Sequence, residues 1–352
     1  MKTAVVLFNL GGPDSPDAVQ PFLHNLFSDP AIIALPGLLR SFVARRISAR
    51  RAPIARAIYD KIGGRSPIRA LTEAQASALQ QALNARHDHP GDEQRVFVAM
   101  RYWHPFAAET AREVAGFAPD QVILLPLYPQ YSSTTTGSSL ADWRQAAQAA
   151  GVRAPTRLVC CYAGFTPYVV ALAGQLMVAL RDARSRGQPF RILLSAHGLP
   201  KKVVRAGDPY QWQIERTAKA VIDAIGEATE LDWRVCYQSR VGPLQWIGPA
   251  TDAEVRRAGS EGLGLVVVPI AFVSEHSETL VELDIEYRYL AEQSGVPFYL
   301  RVPALGSASS FIGALAAIVR QAAKSAGPVA SAEGGRICPA ACRRCPHPAT
   351  AA

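Results

Sequence analysis

The sequence lacks an apolar run long enough to cross a lipid bilayer, which takes about 20 residues in a helix. Its longest runs, such as GLGLVVVPIAF, are much shorter. The first residues, MKTAVVLFNLGG, contain one Lys and no small-residue cleavage site before a strand-like run begins, so we identify no signal or transit peptide. We therefore expect a cytoplasmic protein without a membrane-spanning segment.

Gly and Pro, at 26 residues each, are too few for a disordered chain of 352 residues. Apolar residues make up 49%, enough for buried cores, and the length predicts about two domains. The sequence contains no H-E-x-x-H metal motif, no G-x-x-x-x-G-K-[ST] phosphate loop and no recognisable nucleic-acid-binding motif, so we expect no nucleic-acid partner.

Positive charge is concentrated in one segment. The net charge is +8, and six Arg residues crowd into RSFVARRISARRAPIAR, directly after the apolar ALPGLL. Two interpretations stay open: a solvated helix face, or a surface that meets anionic lipid headgroups or an anionic ligand. These residues are Arg40, Arg45, Arg46, Arg50, Arg51 and Arg56.

Short apolar runs alternate with helix-like segments, which predicts parallel β-sheets with crossover helices. Six of the runs end in Gly, His, Tyr, Arg, Ser or Glu. Because the carboxyl ends of parallel strands meet at one edge of a sheet, these polar residues should converge there. The runs are AVVLFNLGG, RVFVAMRYW, QVILLPLYPQYSS, RILLSAHG, WRVCYQSRVG and LGLVVVPIAFVSEHS.

The two halves of the chain resemble each other, since VILLPLYPQYSSTTT (122–136) and LVVVPIAFVSEHSET (265–279) align without gaps. We infer two similar doubly wound α/β domains, residues 1–150 and 151–325, each a parallel sheet flanked by helices. The last helix of the second domain is a candidate to pack back on the first, and residues 326–352 form a tail. A cleft between the domains would be a common place for a small-molecule site.

Histidines and acids mark the candidate site. His197, in ILLSAHGLP, directly follows an apolar strand, and His276 occupies the corresponding edge of a later run. Glu278, Glu282 and Glu286 then share one helix face at i, i+4 and i+8, although like charges at this spacing repel. The helix N-terminus accounts for Glu278 only. A solvated face is the alternative for the later acids and suits Glu286 better than Glu282.

If this face points into a cleft, carboxylates crowded near a histidine can hold protons or a divalent cation such as Fe²⁺ or Zn²⁺. The fixed ligand spacing of a tight metal site is absent, so the pattern indicates weak binding and release. MRYWHP and VGPLQWIGP add Arg101, Tyr102 and Trp246. Such aromatic and Arg side chains suit a large flat ligand with anionic edges.

Six motifs, in the same order from residue 8 to about residue 310, resemble the ferrochelatase family. The resemblance implies two Rossmann-like domains of the chelatase type around a porphyrin cleft. It also implies an enzyme that inserts Fe²⁺ into protoporphyrin IX, with release of two protons, as the last step of haem biosynthesis. The motifs are FNLGGP (8–13), YDKIGGRSPI (59–68), LYPQYSSTTTGSSL (127–140), LLSAHGLPKKVVRAGDPY (193–210), QSRVGPLQWIGPATD (238–252) and FVSEHSETLVELDIEY (272–287).

The resemblance implies roles for individual residues. His197 and Glu278 would be the essential pair: His197 would take pyrrole protons, bind Fe²⁺ or do both, and Glu278 would orient His197 or accept from it. Glu282 would continue an acidic path. The implied porphyrin-binding residues, of which Arg51 and Ser66 would meet propionates, are Asn9, Arg51, Tyr59, Ser66, Arg101, Tyr102, Trp246, Phe272 and His276.

The segment ALPGLLRSFVARR corresponds to the family's active-site lip, at about residues 30–55. Its apolar residues with basic neighbours suit a cleft mouth that rests peripherally on the inner face of a membrane, where hydrophobic porphyrin partitions. This favours protoporphyrin over the more acidic coproporphyrin.

The tail contains Cys338, Cys342 and Cys345 at C-x₃-C-x₂-C spacing. Structural disulfides are rare in the cytosol, so clustered cysteines indicate metal binding or reactivity, and four thiolates suit Zn²⁺ or an iron–sulfur cluster. The resemblance to those ferrochelatases that carry a [2Fe–2S] cluster implies such a cluster here, with Cys160 or Cys161 as the fourth ligand. A cluster near the chain end would also suit a brace for a homodimer.

Two alternatives stay open. The first is a chelatase for coproporphyrin or another tetrapyrrole, including a cobalt chelatase for sirohydrochlorin. The second is a non-catalytic haem or metal carrier with the same fold. The presence of both His197 and Glu278 argues against a carrier.

Overall fold

The computed structural model describes residues 1–85, 91–226, 231–240 and 242–348. The chain forms two compact units. The first contains Met1–Cys161 and Leu315–Gly335, and the second contains Tyr162–Ala314 and the chain from Arg336 onward. These limits differ from the sequence-based division at residues 150 and 325: the first unit resumes at Leu315 and includes the start of the tail as far as Gly335, and the tail from Arg336 belongs to the second unit. The cleft between domains stays a prediction.

The sheet of the first unit consists of parallel strands in the order β2-β1-β3-β4-β9. Each residue of the third strand is buried, as expected for an apolar run covered by helices on both faces. The strands are β1 (Lys2–Asn9), β2 (Glu93–Met100), β3 (Gln121–Pro126), β4 (Thr156–Val159) and β9 (Val329–Ala330).

The sheet of the second unit is also parallel, in the order β6-β5-β7-β8. The first four strands of each unit therefore follow the same order, second-first-third-fourth. The predicted class, α/β with two parallel sheets flanked by helices, is confirmed. The strands are β5 (Phe190–His197), β6 (Trp233–Gln238), β7 (Gly264–Pro269) and β8 (Tyr299–Arg301).

Helices connect the strands. They are α1 (Val19–Phe27), α2 (Gly37–Asp60), α3 (Ile68–Asn84), α4 (Ala107–Phe117), α5 (Thr136–Ala149), α6 (Thr166–Ser185), α7 (Lys201–Arg205), α8 (Tyr210–Ile225), α9 (Thr251–Ser260), α10 (Tyr287–Gln293) and α11 (Ser309–Ala323). A 3₁₀-helix covers Pro16–Ala18 and a π-helix covers Glu278–Glu286. Within the described ranges, no helix combines the length and the apolar character needed to cross a membrane.

Each unit has its own apolar core. In the first, Phe8 on β1 packs against Trp143 on α5, with 6.1 Å between ring centroids. In the second, Leu193 on β5 and Val267 on β7 pack against Leu283 of the π-helix. Each such side chain contributes about 1.5–3 kcal/mol when fully buried. This packing holds the strands, and with them the residues at their carboxyl ends.

Candidate active site

Polar residues of the second unit meet at the carboxyl edge of its sheet, as the strand pattern predicts. His197 is the last residue of β5 and pairs in register with Gln238, the last residue of β6. Ser239 follows with φ at +57°, a left-handed conformation that non-glycine residues rarely adopt. Such backbone strain persists where the surroundings fix it, often at functional sites.

Gly198 allows a close approach beside His197. A Cβ atom at this position would lie 2.9 Å from the carbonyl oxygen of Gln238 and 3.2 Å from Cε3 of Trp246. Because a side chain would collide with that backbone oxygen, glycine is required for β5 to continue past β6 in this way. The arrangement places the Trp246 ring next to the histidine loop.

The carboxylate of Glu278 lies near two imidazoles. Its Oε1 is 3.8 Å from Nε2 of His197, and its Oε2 is 3.7 Å from Nε2 of His276. Both rings donate Nδ1–H to a backbone carbonyl, at 2.6 Å to Gly198 and 3.1 Å to Ser274, which leaves Nε2 to face the acid. The His197 side chain is 41% exposed and that of His276 only 9%, so His197 is the imidazole that a ligand can reach.

These neighbours set the charge of the acid. Burial alone would raise the pKa of Glu278, but the charges of His197 and His276 outweigh burial and bring this pKa down to about 2. Burial alone would lower the pKa of His276, but the Glu278 carboxylate more than offsets it and raises this pKa. Glu278 is therefore ionised at neutral pH, where its charge attracts a cation or a proton.

Glu282 accepts hydrogen bonds from several donors. Ser239 donates its backbone N–H at 2.7 Å and also its hydroxyl, and the Gln238 amide and the Tyr287 hydroxyl each donate at 3.0 Å. Burial nevertheless raises the pKa of Glu282, and the charge of Glu278 raises it further. The pKa values of two neighbouring acids are thus moved in opposite directions, and Glu282 takes up a proton more readily than Glu278 does.

Both acids lie on the π-helix, where the sequence predicts an ordinary helix. Its wider hydrogen bonding is visible where the Tyr287 N–H donates to the carbonyl of Glu282, five residues earlier. Single π-helical turns occur frequently at functional sites. The buried residues Val281 and Leu283 anchor the helix, and Glu286, at its end, is exposed.

Arg301, at the end of β8, ties the π-helix to the loop that carries His276. Its Nη1 is 2.8 Å from Oε1 of Glu275, and its Nη2 is 2.6 Å from Oδ2 of Asp284. The Arg301 side chain is only 10% exposed, so this ion-pair triad is largely removed from water. The triad holds the chain at Glu275, just before His276, and at Asp284, after Glu278.

The first unit presents a separate group of candidate residues. Arg101, directly after β2, lies over the Tyr102 ring with 5.0 Å to the ring centroid. The buried carboxylate of Asp29 accepts from the Tyr102 hydroxyl at 2.7 Å and lies 3.1 Å from Nη2 of Arg101. Ser138 completes the network, because it donates to Asp29 and accepts from Nε of Arg101 at 2.7 Å.

The remaining candidates differ in exposure. Asn9, the last residue of β1, is buried and donates to the Thr72 hydroxyl at 2.9 Å. Tyr59 and Ser66 are also buried, whereas Arg51 is exposed on α2. In the second unit, the ring centroids of Phe272 and His276, two further candidates, lie 4.7 Å apart.

Several residues of these networks were not singled out from the sequence. Gln238 and Ser239 lie within a strand-end run that predicts a polar edge, so the position was available but the individual roles were not. Asp29 and Arg301 carry no such signal. Both act through partners that are distant in sequence, as in the 73 residues that separate Asp29 from Tyr102.

The tail cysteines belong to the second unit. Cys338 is buried and accepts from the Gln213 amide at 3.1 Å, and a hydrogen bond from Cys338, opposed by burial, lowers the pKa of Cys345 to about 6. Burial and the Cys345 charge raise the pKa of Cys342. Gly207, with φ at +94°, allows the tail to pack closely against it, because a Cβ atom there would lie 2.9 Å from the backbone nitrogen of Arg343.

The other two candidate cysteines lie in the first unit. Cys160 and Cys161 follow β4, are both buried, and have sulfur atoms 3.4 Å apart. Within the part of the chain that the structure describes, no three His, Cys, Asp or Glu side chains are arranged to hold a metal ion. The donor chemistry of the tail, with a low-pKa thiol, nevertheless fits a thiolate-bound group.

Comparisons with known proteins show the family to which this chain belongs. A family model described as "Ferrochelatase" matches residues 2–323. The ferrochelatase of Phenylobacterium zucineum is 56% identical over 345 residues, with 98% of each chain covered, and that of Caulobacter vibrioides is 55% identical, with 98% of this chain and 97% of the relative covered. Among solved structures, SirB from Bacillus subtilis with Fe³⁺ has a TM-score of 0.51 at 13% identity, covers 92% of this chain and 96% of its own, and shows likeness of fold alone. The chain therefore belongs to the ferrochelatase family.

Proposed function

We propose that this protein is a lyase that inserts Fe²⁺ into protoporphyrin IX to give protohaem and two protons, the last step of haem biosynthesis. One observation carries the proposal. His197 and Glu278, the pair that the ferrochelatase motifs implicate, lie at the same sheet edge with 3.8 Å between Nε2 and Oε1. The exposed imidazole can reach a bound ligand, and the acid behind it is ionised.

The reaction replaces two pyrrole N–H protons by one Fe²⁺, so the site must accept two protons and admit one cation. His197 is the base that meets the ring nitrogens. The fixed charge of Glu278 stabilises the protonated imidazole and attracts Fe²⁺. Glu282, whose pKa burial and the Glu278 charge raise, takes over a proton and passes it outward along the π-helix.

The porphyrin-binding residues remain predictions in this proposal. Trp246 and Phe272, which lie beside Gly198 and His276, are suited to contact the flat face of the macrocycle. Arg101 is held by Asp29 and Ser138, so its position is fixed before a ligand arrives. Arg51 is exposed, which suits a propionate at the edge of the macrocycle.

The experiment that tests the proposal is metal insertion under air with Zn²⁺ in place of Fe²⁺, followed by porphyrin fluorescence. We expect His197→Ala to lose about 10²-fold or more in rate, because a positioned base contributes 10²–10⁴-fold. His24→Ala, on α1, is the control and should keep the wild-type rate. Protoporphyrin should be used faster than coproporphyrin. Equal rates for His197→Ala and wild type would contradict the role of His197 as the base. A wild-type protein that inserts no Zn²⁺ would instead be a carrier.

We also propose that the protein is cytoplasmic and rests peripherally on a membrane through the start of α2. Leu38, Leu39 and Phe42 are 93%, 50% and 59% exposed. The Arg46 guanidinium lies over the Phe42 ring at 5.8 Å, so a cation accompanies the apolar group. Apolar side chains with basic neighbours bind anionic bilayers without crossing them.

The third part of the proposal is a [2Fe–2S] cluster held by Cys338, Cys342 and Cys345, with Cys160 or Cys161 as the fourth ligand. The low pKa of Cys345 supports it, because the thiolate is the form that binds metal. Arg336 donates to the carbonyls of Cys338 and Cys342 and so holds the cysteine loop. When bound, such a cluster supplies one-electron exchange.

The cluster can be tested on protein purified anaerobically, by its visible absorbance and by analysis of iron and sulfide. We expect Cys345→Ser to lose the absorbance together with both elements, because it removes a thiolate ligand. Cys236→Ala should retain them, because Cys236 is buried on β6, which lies at the edge of the second sheet and not inside it as the sequence suggested. A wild-type protein with no absorbance between about 400 and 600 nm would rule the cluster out.

A further inference from the structure

A cavity in the second unit carries positive charge that the proposed reaction does not use. Its volume is about 560 Å³, within the range of small-molecule sites. Lys201 and Arg205 of α7 line it, together with Arg240 and Trp246 from the loop after β6. Its lining contains three cationic side chains and no acidic one.

The three cavity cations lack a carboxylate partner in the part of the chain that the structure describes. None of Lys201, Arg205 and Arg240 forms an ion pair with any other residue in the described ranges. Exposed arginines elsewhere in this unit can be paired, as Arg256 is with Asp252 and Arg257 is with Glu261, each at 2.8 Å. Unpaired cations that face one cavity repel each other, and an anion in the cavity would relieve that repulsion.

The cavity lies beside the metal-insertion site. A Cβ atom on Gly198 would be 3.0 Å from Cγ of Arg240 and 3.2 Å from Cε3 of Trp246. Gly198 directly follows His197, so residues that line the cavity pack against the histidine loop. An anion bound there would lie close to the proposed base.

We propose that this cavity binds carboxylates, as a subsite for a ligand with two or more of them. The guanidinium forks of Arg205 and Arg240 match carboxylate oxygens in pairs, and Lys201 adds a mobile point charge. Two sources of carboxylate fit this chemistry. One is a free di- or tricarboxylate from solution, and the other is the propionate side chains of the porphyrin.

The decisive experiment compares a variant that loses one positive charge inside the cavity with a variant that loses one outside it. Lys201→Met and Lys202→Met change neighbouring residues of α7 and alter the net charge equally, but only Lys201 lines the cavity. Arg205→Gln is a second cavity variant. All three side chains are exposed, so the variants should fold, and thermal unfolding checks this.

The first measurement is calorimetric titration of the full chain with metal-free citrate at low ionic strength. We expect one site that weakens about tenfold in Lys201→Met and in Arg205→Gln, is unchanged in Lys202→Met, and is lost at high salt. This result shows that the cavity binds carboxylates. It does not depend on metal insertion, so it can fail or succeed separately from the proposed function.

The second measurement is the KM of Zn²⁺ insertion for protoporphyrin, with two propionates, and coproporphyrin, with four. If the porphyrin supplies the carboxylates, KM will rise in Lys201→Met but not in Lys202→Met, with kcat unchanged. The rise should be larger for coproporphyrin. If a free polycarboxylate is the ligand, the two variants will have the same KM. If neither citrate affinity nor KM distinguishes the Lys201 and Lys202 variants, the subsite is overturned.

Discussion

The Glu278 carboxylate interacts electrostatically with the imidazoles of His197 and His276. The free energy of unfolding should therefore fall both at acidic and at alkaline pH. Its pKa lies below the usual 4.5, so its contribution is present above that value and is lost as the pH falls toward about 2. The pKa of His276 lies above the usual 6.5, so its contribution is complete below that value and is lost as the pH rises through the raised pKa. Together, Glu278 and His276 contribute most to the free energy of unfolding between pH 4.5 and pH 6.5, the ordinary pKa values of the two groups.

The Glu278→Gln variant should show this window directly. We expect its free energy of unfolding to fall by about 2 kcal/mol at about pH 5.5, because the buried imidazole loses its partner. At alkaline pH, above the raised pKa of His276, that imidazole has lost its charge, and the loss should shrink or reverse, since an unpaired buried carboxylate is costly. Urea unfolding at both pH values measures the difference.

Glu113→Gln, an exposed change on α4, is the control for that experiment and should alter stability little at either pH. A loss for Glu278→Gln that is the same at acidic and alkaline pH would contradict the coupling between the acid and His276. It would mean that Glu278 acts through packing alone.

At the scale of elements, the Arg301 triad positions the π-helix. Arg301→Met should lower the free energy of unfolding by about 3 kcal/mol, because it leaves Glu275 partly buried without its cation and Asp284 with Arg288 alone, at 3.5 Å. It should also slow metal insertion, since the helix that carries Glu278 and Glu282 loses its tie to β8. Urea unfolding and Zn²⁺ insertion measure the two effects.

Arg256→Met provides the matched comparison. Arg256 pairs with Asp252 at 2.8 Å on the exposed face of α9, where an ion pair contributes less than about 1 kcal/mol. If the Arg256 and Arg301 variants lost equal stability, the triad would be no more than a surface ion pair.

The sequence predicted the strands well and the form of this helix poorly, for a physical reason. An uninterrupted apolar run followed by His197 is a local signal, and burial on both faces of β5 follows from it. Leu280, Leu283 and Tyr287 have the spacing of an ordinary helix. The wider π-helix instead coincides with contacts from distant elements, such as Ser239 to Glu282, which no local pattern encodes.

At the scale of the whole molecule, the internal sequence echo corresponds to repeated topology. The two aligned segments contain β3 and β7, and each is the third strand of its unit. The return of the chain to the first sheet through β9 was not predicted. That strand contains only Val329 and Ala330, and two residues are too few to show a periodic pattern in the sequence.

Membrane contact is a property of the whole molecule and can be tested with vesicles of phosphatidylcholine and phosphatidylserine. We expect Phe42→Asp to weaken vesicle binding about tenfold or more, because it removes an apolar group that contributes about 1.5–3 kcal/mol on burial and adds a repelled charge. Val170→Asp is the control, since Val170 on α6 is 56% exposed and Phe42 is 59% exposed.

Salt and lipid charge separate the two contributions to that binding. The arginines of α2 should make binding stronger on anionic vesicles and weaker in high salt, because exposed charges are screened. The apolar contribution of Leu38 and Phe42 should persist in high salt. If Phe42→Asp and Val170→Asp weaken vesicle binding equally, exposure alone explains the loss and α2 is not the contact. If only Phe42→Asp does so, the membrane lies against the start of α2, the segment that the family resemblance identifies as the lip of the active site.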